Sequence, residues 1–244
     1  MKLLLYEWCC SGGLAGASAG IGAEGRAMLE ALAADAARDA SLDVAVLVDP
    51  AQEVNLSATV RTIANDGSND IAALVSAARQ ADWTVIVAPE TDGILLDRVA
   101  AVQAAGARAL NASTAFIAIA ADKQATVNAL AAAGVPVPAG RSLSPGETVP
   151  ERFNMPAVRK LRDGVGGEGY SFVQSADSQP VARATRLEAF VAGGPVGVSC
   201  LCGPLGLGIL PPLRQRFSTG DPPRFLGGEP MPEGCASLRA SALA

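Results

Sequence analysis

The chain has 244 residues, enough for one large domain or two small ones. Half of the residues are hydrophobic but only 4% are aromatic, so the apolar content is mostly alanine and aliphatic side chains, suited to packing helices closely on a sheet. A net charge of −5 with no dense basic run excludes a nucleic-acid or anionic-membrane footprint. The absence of histidine removes Ser-His-Asp and Cys-His catalysis and histidine-ligated metals.

Any chemistry must use Lys, Arg, Asp, Glu, backbone amides or a bound ion. No apolar run approaches the roughly 18 residues of a membrane span. After Met1-Lys2 the apolar run ends at Glu7, too short for a secretory leader, so the expected location is cytoplasmic. The five cysteines, Cys9, Cys10, Cys200, Cys202 and Cys235, form no CxxC pair. They read as buried reduced thiols, with Cys200 and Cys202 on one face of a strand.

In chain order, Lys2 to Tyr6 reads as a buried strand and Glu7 to Gly22 as a Gly/Ala/Ser-rich loop. Ala23 to Arg38 reads as a helix, its stripe made by Ile21, Met28, Leu29 and Leu32. Leu42 to Val48 is a second strand and Val60 to Ile63 a short third. Asn69 to Ala81 is helical, Trp83 to Ala88 a strand, Ile94 to Ala105 helical and Ala107 to Leu110 a short strand. This alternation predicts a Rossmann-like parallel α/β domain over residues 1–112. Active residues in such folds sit in the loops after the strands, here Glu7, Ser11, Gly12, Gly13, Glu90 and Thr91. The loop containing Ser11-Gly12-Gly13 lacks the GxGxxG spacing of a dinucleotide site. It reads as a structural loop or a site for a carboxylate substrate.

From Ser113 the pattern changes. Ser113 to Gly134 is helical with an interruption near Asp122-Lys123, and the prolines after Gly134 cannot continue it. Arg141 to Leu143 is extended and Ser144-Pro145-Gly146 a turn. A hairpin follows: a strand from Pro156 to Leu161, a tip holding Gly164, Gly166, Gly167 and Gly169, and a return strand from Tyr170 to Val173. Thr185 to Ala192 is extended. Val196 to Cys202 and Leu207 to Leu210 form an antiparallel pair. Pro211 to Pro232 reads as loop, and Glu233 to Ala244 as the start of a helix.

In the hairpin, Lys160 and Arg162 share a strand face, and the glycine-rich tip lets backbone N–H groups close over an anion. Two readings fit: a polyphosphate clamp, or an ordinary hairpin with a solvated basic strand. Taken alone, Lys123 reads as a solvated helix residue and Glu188 as a solvated strand residue.

Three stretches in order resemble the ATP-grasp superfamily of carboxylate–amine ligases: ADKQATVNALAAAGVPVPAG at 121–140, KLRDGVGGEG at 160–169 and LEAFVAGGPVGVSCL at 187–201. The resemblance implies an ATP-grasp α+β region after the first domain, with a lysine and glycine-loop subdomain at 113–192 and the start of a C-terminal subdomain at 193–244. It implies that Lys123 and Lys160 contact ATP phosphates and that Gly164, Gly166, Gly167 and Gly169 close over them. Glu188, Phe190 and Val191 match the segment that lies against adenine, largely through its backbone. The implied reaction activates a carboxylate as an acyl-phosphate with ATP and Mg²⁺, and an amine then attacks. Such chemistry is electrostatic and positional, so a chain without histidine can perform it.

The pattern departs from the family at two places. Gly194, Pro195 and Val196 stand where an acidic residue usually holds the ribose. The sequence reaches Ala244 without the Glu and Glu-x-Asn pattern that ligates Mg²⁺, and Asp221, Glu229 and Glu233 lack its context. The expectation is a C-terminally incomplete ATP-grasp region whose metal ligands lie beyond residue 244, with a degenerate site as the alternative. The start KLLLYEWCCSGGL and the late QRF…RFLGGEPMPE are similar to small amino-acid or amine ligases such as the tyramine–glutamate ligase group, which would put Gln215, Arg216, Gly227 and Gly228 near substrate or nucleotide. Small-molecule carboxylates and amines are the implied partners, and a homodimer is a further expectation because such ligases are often dimers. The rival readings are a non-catalytic nucleotide-binding or scaffold protein and, more distantly, an NAD(P)-dependent α/β enzyme.

Overall fold

A computed structural model describes residues 1–13, 19–65, 69–167, 169–219, 223 and 225–231. It divides into two compact units: Met1–Val135 with Asp163–Val165, and Pro136–Arg162 with Gly166–Ala244. No helix among the described residues is long and apolar enough to cross a membrane.

The first unit is built on a parallel sheet. Its elements are β1 (Lys2–Glu7), a π-helical turn at Cys9–Gly13, α1 (Ala19–Ala36), β2 (Asp43–Val48), β3 (Arg61–Ala64), α2 (Asp70–Ala78), β4 (Trp83–Val87), α3 (Ile94–Ala104), α4 (Thr114–Ala120) and α5 (Lys123–Ala132). The strand order is β3-β2-β1-β4. Strands β1 and β2 are buried from their second residue onward because both sheet faces are covered. Leu3 and Leu5 pack with Leu29 and Ala33 of α1 on one face. Leu4 and Tyr6 pack with Leu74, Ala78, Val99 and Val102 on the other.

Helix caps follow the local chemistry. Asn69, Ser113 and Asp122 each accept backbone N–H groups at the starts of α2, α4 and α5. The Asp122 cap explains the interruption in the expected Ser113–Gly134 helix: the chain ends α4 and starts again at Lys123.

Several expectations need correction. Helix α1 begins at Ala19, not Ala23. Of its expected stripe only Leu29 is buried, while Ile21, Met28 and Leu32 stay exposed and Ala33 does the packing. The Ala107–Leu110 strand reduces to one parallel bridge, Thr84 with Ala109.

The second unit opens with an antiparallel sheet of β5 (Gly140–Leu143), β6 (Ala157–Leu161), β7 (Ser171–Val173) and β8 (Thr185–Ala189), in the order β5-β8-β6-β7. Leu143, Val149, Ala157, Val173, Val181 and Leu187 form its core. The chain continues through β9 (Val196–Gly197), β10 (Cys200–Gly203), β11 (Gly206–Ile209), β12 (Leu213–Phe217) and β13 (Phe225–Pro230). Here β10 pairs with β11, and β12 joins β13 and β9 in a three-stranded sheet. The expected loop at 211–232 is therefore largely a hairpin. Its Pro, Gly and Arg content hid two strands, and a register shift near Arg216 and Phe217 breaks the alternation that would have marked them. Cys200 and Cys202 are exposed, against the expectation of burial, since β10 has no covered face among the described residues. The expected C-terminal helix at 233–244 lies outside the described residues, as do Asp221, Arg224, Glu233 and Cys235.

Candidate functional site

Lys160 lies on β6 and Glu188 on β8, and the register of the two strands decides what they can touch. Lys160 stands directly opposite Arg186, and Val158 opposite Glu188. Side chains two apart share a strand face, so Lys160, Arg186 and Glu188 come together on the face turned away from the Leu187 core. Lys160 Nζ donates to Glu188 Oε1. Arg186 Nε donates to Glu188 Oε2 at 3.0 Å, and its Nη2 donates to the carbonyl of Pro138 at 3.1 Å. Both carboxylate oxygens are thus engaged by cations.

Burial is graded across the group. The Arg186 side chain is 1% exposed and that of Glu188 11%, whereas the Lys160 side chain is 34% exposed. Lys160 is the member of the three that meets solvent. Glu188 is not the solvated strand residue its neighbours in sequence suggested.

The segment after Glu188 is held by its backbone. Ala189 N–H donates to the Ala139 carbonyl at 2.8 Å and Phe190 N–H to the Pro156 carbonyl at 2.9 Å. The Phe190 ring meets Phe172 edge-on at 5.2 Å. Phe190 and Val191 are both exposed.

The glycine tip of the β6–β7 hairpin has backbone geometry that side chains oppose. Gly166 and Gly167 have φ of 60° and 81°. Gly169 combines φ of 66° with close packing, since a Cβ there would come within 2.6 Å of Leu161 Cγ.

In the first unit, Lys123 Nζ donates to the carbonyl of Gly164 at 2.6 Å. Thr91 Oγ1 donates to the Asp163 carbonyl at 3.1 Å. Thr91 follows β4, at the strand ends where parallel sheets carry their sites. Lys123 and Lys160 thus belong to different units and have different partners. Gln215 and Arg216 lie on β12 and Gly227 and Gly228 on β13, with Arg216 paired to Glu229 at 2.5 Å on an exposed surface.

Glu7 ends β1 as a buried carboxylate, 2% exposed, and accepts the Cys10 N–H at 2.8 Å. Burial, then the Glu7 charge, pushes the Cys9 thiol up to about 12. Burial and a hydrogen bond to Glu7 push Cys10 up as well. These thiols are held protonated. Ser11 Oγ donates to the Leu47 carbonyl, and Asn65 Nδ2 donates to the Ser11 carbonyl, so the loop after β1 is tied to its neighbouring strands.

Sequence reasoning missed two groups. Arg186 gave no local sign, because an arginine beside a carboxylate in a short strand has the pattern of a solvated edge. The other is the trio Tyr6, Asp70 and Arg98. Tyr6 Oη donates to Asp70 Oδ2 at 2.7 Å, and Arg98 Nη2 donates to the same oxygen at 2.6 Å. Arg98 shares the buried stripe of α3 with Leu95, Val99 and Val102, and an arginine on an apolar helical stripe was the available signal.

Residues 42–117 match the family model of the pre ATP-grasp 3 domain, and residues 120–229 match that of an ATP-grasp domain. The chain belongs to the ATP-grasp superfamily. The fold agrees. An ADP complex of N5-carboxyaminoimidazole ribonucleotide synthetase superposes with a TM-score of 0.65 at 16% identity, covering 99% of this chain and 61% of that one. D-alanine–D-alanine ligase from Bacillus anthracis gives 0.63 at 13% identity, covering 99% and 74%. L-amino acid ligase from Bacillus licheniformis gives 0.60 at 15% identity, covering 99% and 57%. The chain spans about three fifths of the length of the two synthetase structures it matches, 61% and 60%. A comparison with curated protein sequences finds no match.

Within the superfamily model the three predicted motifs fall on α5, on the β6–β7 hairpin and on β8 with its exit, all between residues 120 and 229. Among the described residues no group of three or more His, Cys, Asp or Glu side chains is arranged to hold a metal ion. In the β6–β8 cluster the carboxylate, Glu188, has each oxygen engaged by a cation, Lys160 or Arg186, so this cluster does not suit Mg²⁺.

Proposed function

We propose that this ATP-grasp chain serves an ATP-dependent carboxylate–amine ligase, with Lys160 as its principal phosphate contact. The observation that carries the reading is the cluster on β6 and β8. A lysine fixed by a buried carboxylate yet one-third exposed offers a preorganised cation to an anionic ligand. A solvated strand lysine would have no such support.

The parts then have separate tasks. Lys160 attracts and orients phosphate oxygens. Gly166, Gly167 and Gly169 supply backbone donors at positions that carry no Cβ. Lys123, which donates to the Gly164 carbonyl, is the second ammonium that the family resemblance assigns to the phosphates. Phe190 and Val191, exposed after an anchored strand end, suit a flat apolar base. ATP would supply the phosphoryl group that activates the carboxylate, and covering the site would protect an acyl-phosphate from water.

The test is titration calorimetry of ATP and ADP into the chain and into Lys160→Ala. Binding by the parent and a loss on the order of tenfold or more in the variant are expected, the scale of one charge-assisted contact to phosphate. Equal affinities for the two proteins would remove Lys160 from the site.

A further inference from the structure

The register of β6 and β8 sets two cations, Lys160 and Arg186, directly across from one another. Like charges in directly opposed positions destabilise a sheet. Glu188, two residues along β8 on the same face, resolves the conflict by giving one carboxylate oxygen to each: Oε1 to Lys160 and Oε2 to Arg186. The guanidinium is the most deeply buried part of the arrangement, at 1% exposure. Its outer edge is fixed too, since Nη2 donates to the Pro138 carbonyl.

The neighbouring strand is shaped to admit it. Gly140 on β5 pairs with Glu188, and a Cβ at Gly140 would come within 2.5 Å of the Leu187 carbonyl oxygen and 2.8 Å of Arg186 Nη2, so both the strand backbone and the guanidinium close the space. Gly140 has no unusual φ, so glycine is needed there for space. An arginine sunk into a sheet is a costly way to fill volume, because an apolar side chain of the same size is often as stable or more so. What an apolar residue cannot do is hold Glu188 Oε2.

We propose that Arg186 is a positioning residue for Lys160. Buried on the same sheet face, it locks the Glu188 carboxylate in one rotamer, and the locked carboxylate fixes the Lys160 ammonium where a phosphate meets it. The inference rests on Lys160 being a nucleotide contact, but the mechanical part, Arg186 controlling Lys160 through Glu188, stands on the geometry alone. Two measurements separate the parts.

The first is nucleotide affinity by titration calorimetry for the parent, Arg186→Met, Arg186→Lys, Lys160→Met and the Arg186→Met/Lys160→Met double variant. Arg186→Met is expected to weaken ATP about tenfold, the scale of one charge-assisted hydrogen bond. Arg186→Lys should recover part of that loss. The double variant should bind no more weakly than Lys160→Met alone, because Arg186 acts through Lys160. Parent-like affinity in Arg186→Met, or losses that multiply in the double variant, would overturn the proposal. Should Arg186→Met fail to fold, Arg186→Lys carries the test: its shorter cation cannot span both Glu188 Oε2 and Pro138 O, and unchanged affinity there would overturn the proposal equally.

The second measurement needs no nucleotide. Acylation of Lys160 by an N-hydroxysuccinimide ester, mapped by mass spectrometry with Lys2 as internal reference, should quicken in Arg186→Met and Arg186→Lys as the ammonium loses its fixed partner. Unchanged labelling of Lys160 in both would overturn the positioning role even if ATP binds. No ATP binding by the parent together with quickened labelling would instead refute the nucleotide reading and leave the positioning role standing.

Discussion

Lys123 Nζ donates to the carbonyl oxygen of Gly164 across 41 positions of sequence. A lysine at the first turn of α5 and the first glycine of a distant hairpin tip are thereby in direct contact, and both belong to the same compact unit. The contact gives Lys123 a measurable task without any ligand. Arg162, two residues before Gly164, is a natural site for trypsin. Lys123→Met should speed cleavage after Arg162 under native conditions, while Lys123→Arg, which keeps a donor, should restore protection. The same cleavage rate in Lys123→Met and the parent would show that the contact does not hold the tip.

The Tyr6–Asp70–Arg98 trio joins β1, the first turn of α2 and the middle of α3. Asp70 Oδ2 accepts from both partners, and Arg98 Nε also reaches Tyr6 Oη at 2.9 Å. Burial and the hydrogen bond to Asp70 push the Tyr6 hydroxyl well above its ordinary range, so it stays a donor. Removing one partner leaves the others buried and poorly satisfied. Asp70→Ala should cost about 3 kcal/mol of unfolding free energy, near the low end for a broken buried pair because Asp70 is partly exposed. Tyr6→Phe should cost about 1 kcal/mol. Urea titration would read both, and the double variant should lose less than the sum, since the side chains share one acceptor.

How far the sequence could be read depended on the range of the interaction concerned. The parallel sheet was legible because Leu3–Tyr6, Val44–Val48 and Trp83–Val87 are short apolar runs separated by helix-length segments. The helix starts near Asn69 and Ser113 and the break near Asp122-Lys123 were legible because capping is decided within three residues. Arg186 was not, because its meaning depends on which residue β6 sets opposite it, and register is a property of the folded sheet. The trio was hidden for the same reason, its members being 28 to 92 positions apart. Alanine-rich α1 misled in another way: it packs through Leu29 and Ala33, leaving larger side chains outside.

Gly167 and Gly169 lie in one tip and differ in what surrounds them. Both have positive φ, but a Cβ at Gly167 meets open space whereas one at Gly169 runs into the Leu161 side chain. Gly167→Ala should therefore cost about 1 kcal/mol, from the backbone alone. Gly169→Ala should cost more, and Leu161→Ala in the same chain should recover part of the excess. Urea midpoints of the three variants would decide; equal costs at the two glycines would show that Leu161 yields without penalty.

The two buried thiols make a pH prediction whose direction is fixed. The Cys9 thiol titrates near 9 when unconstrained and at about 12 in the folded chain, chiefly through burial and then through Glu7. Above pH 9 the unfolded chain has therefore lost a proton that the folded chain keeps, and folding becomes less favourable as the pH rises. Cys10 and Tyr6 are shifted the same way and add to the loss. Stability from urea titration should fall steadily between about pH 9 and pH 12, and Cys9→Ser/Cys10→Ser should flatten the early part of that fall. Iodoacetamide at pH 8 gives an independent check: exposed Cys200 and Cys202 should alkylate in the native chain, Cys9 and Cys10 only after unfolding. Native labelling of Cys9 or Cys10 at the rate of Cys200 would mean that the turn after β1 opens freely, and the predicted alkaline loss of stability would then disappear with it.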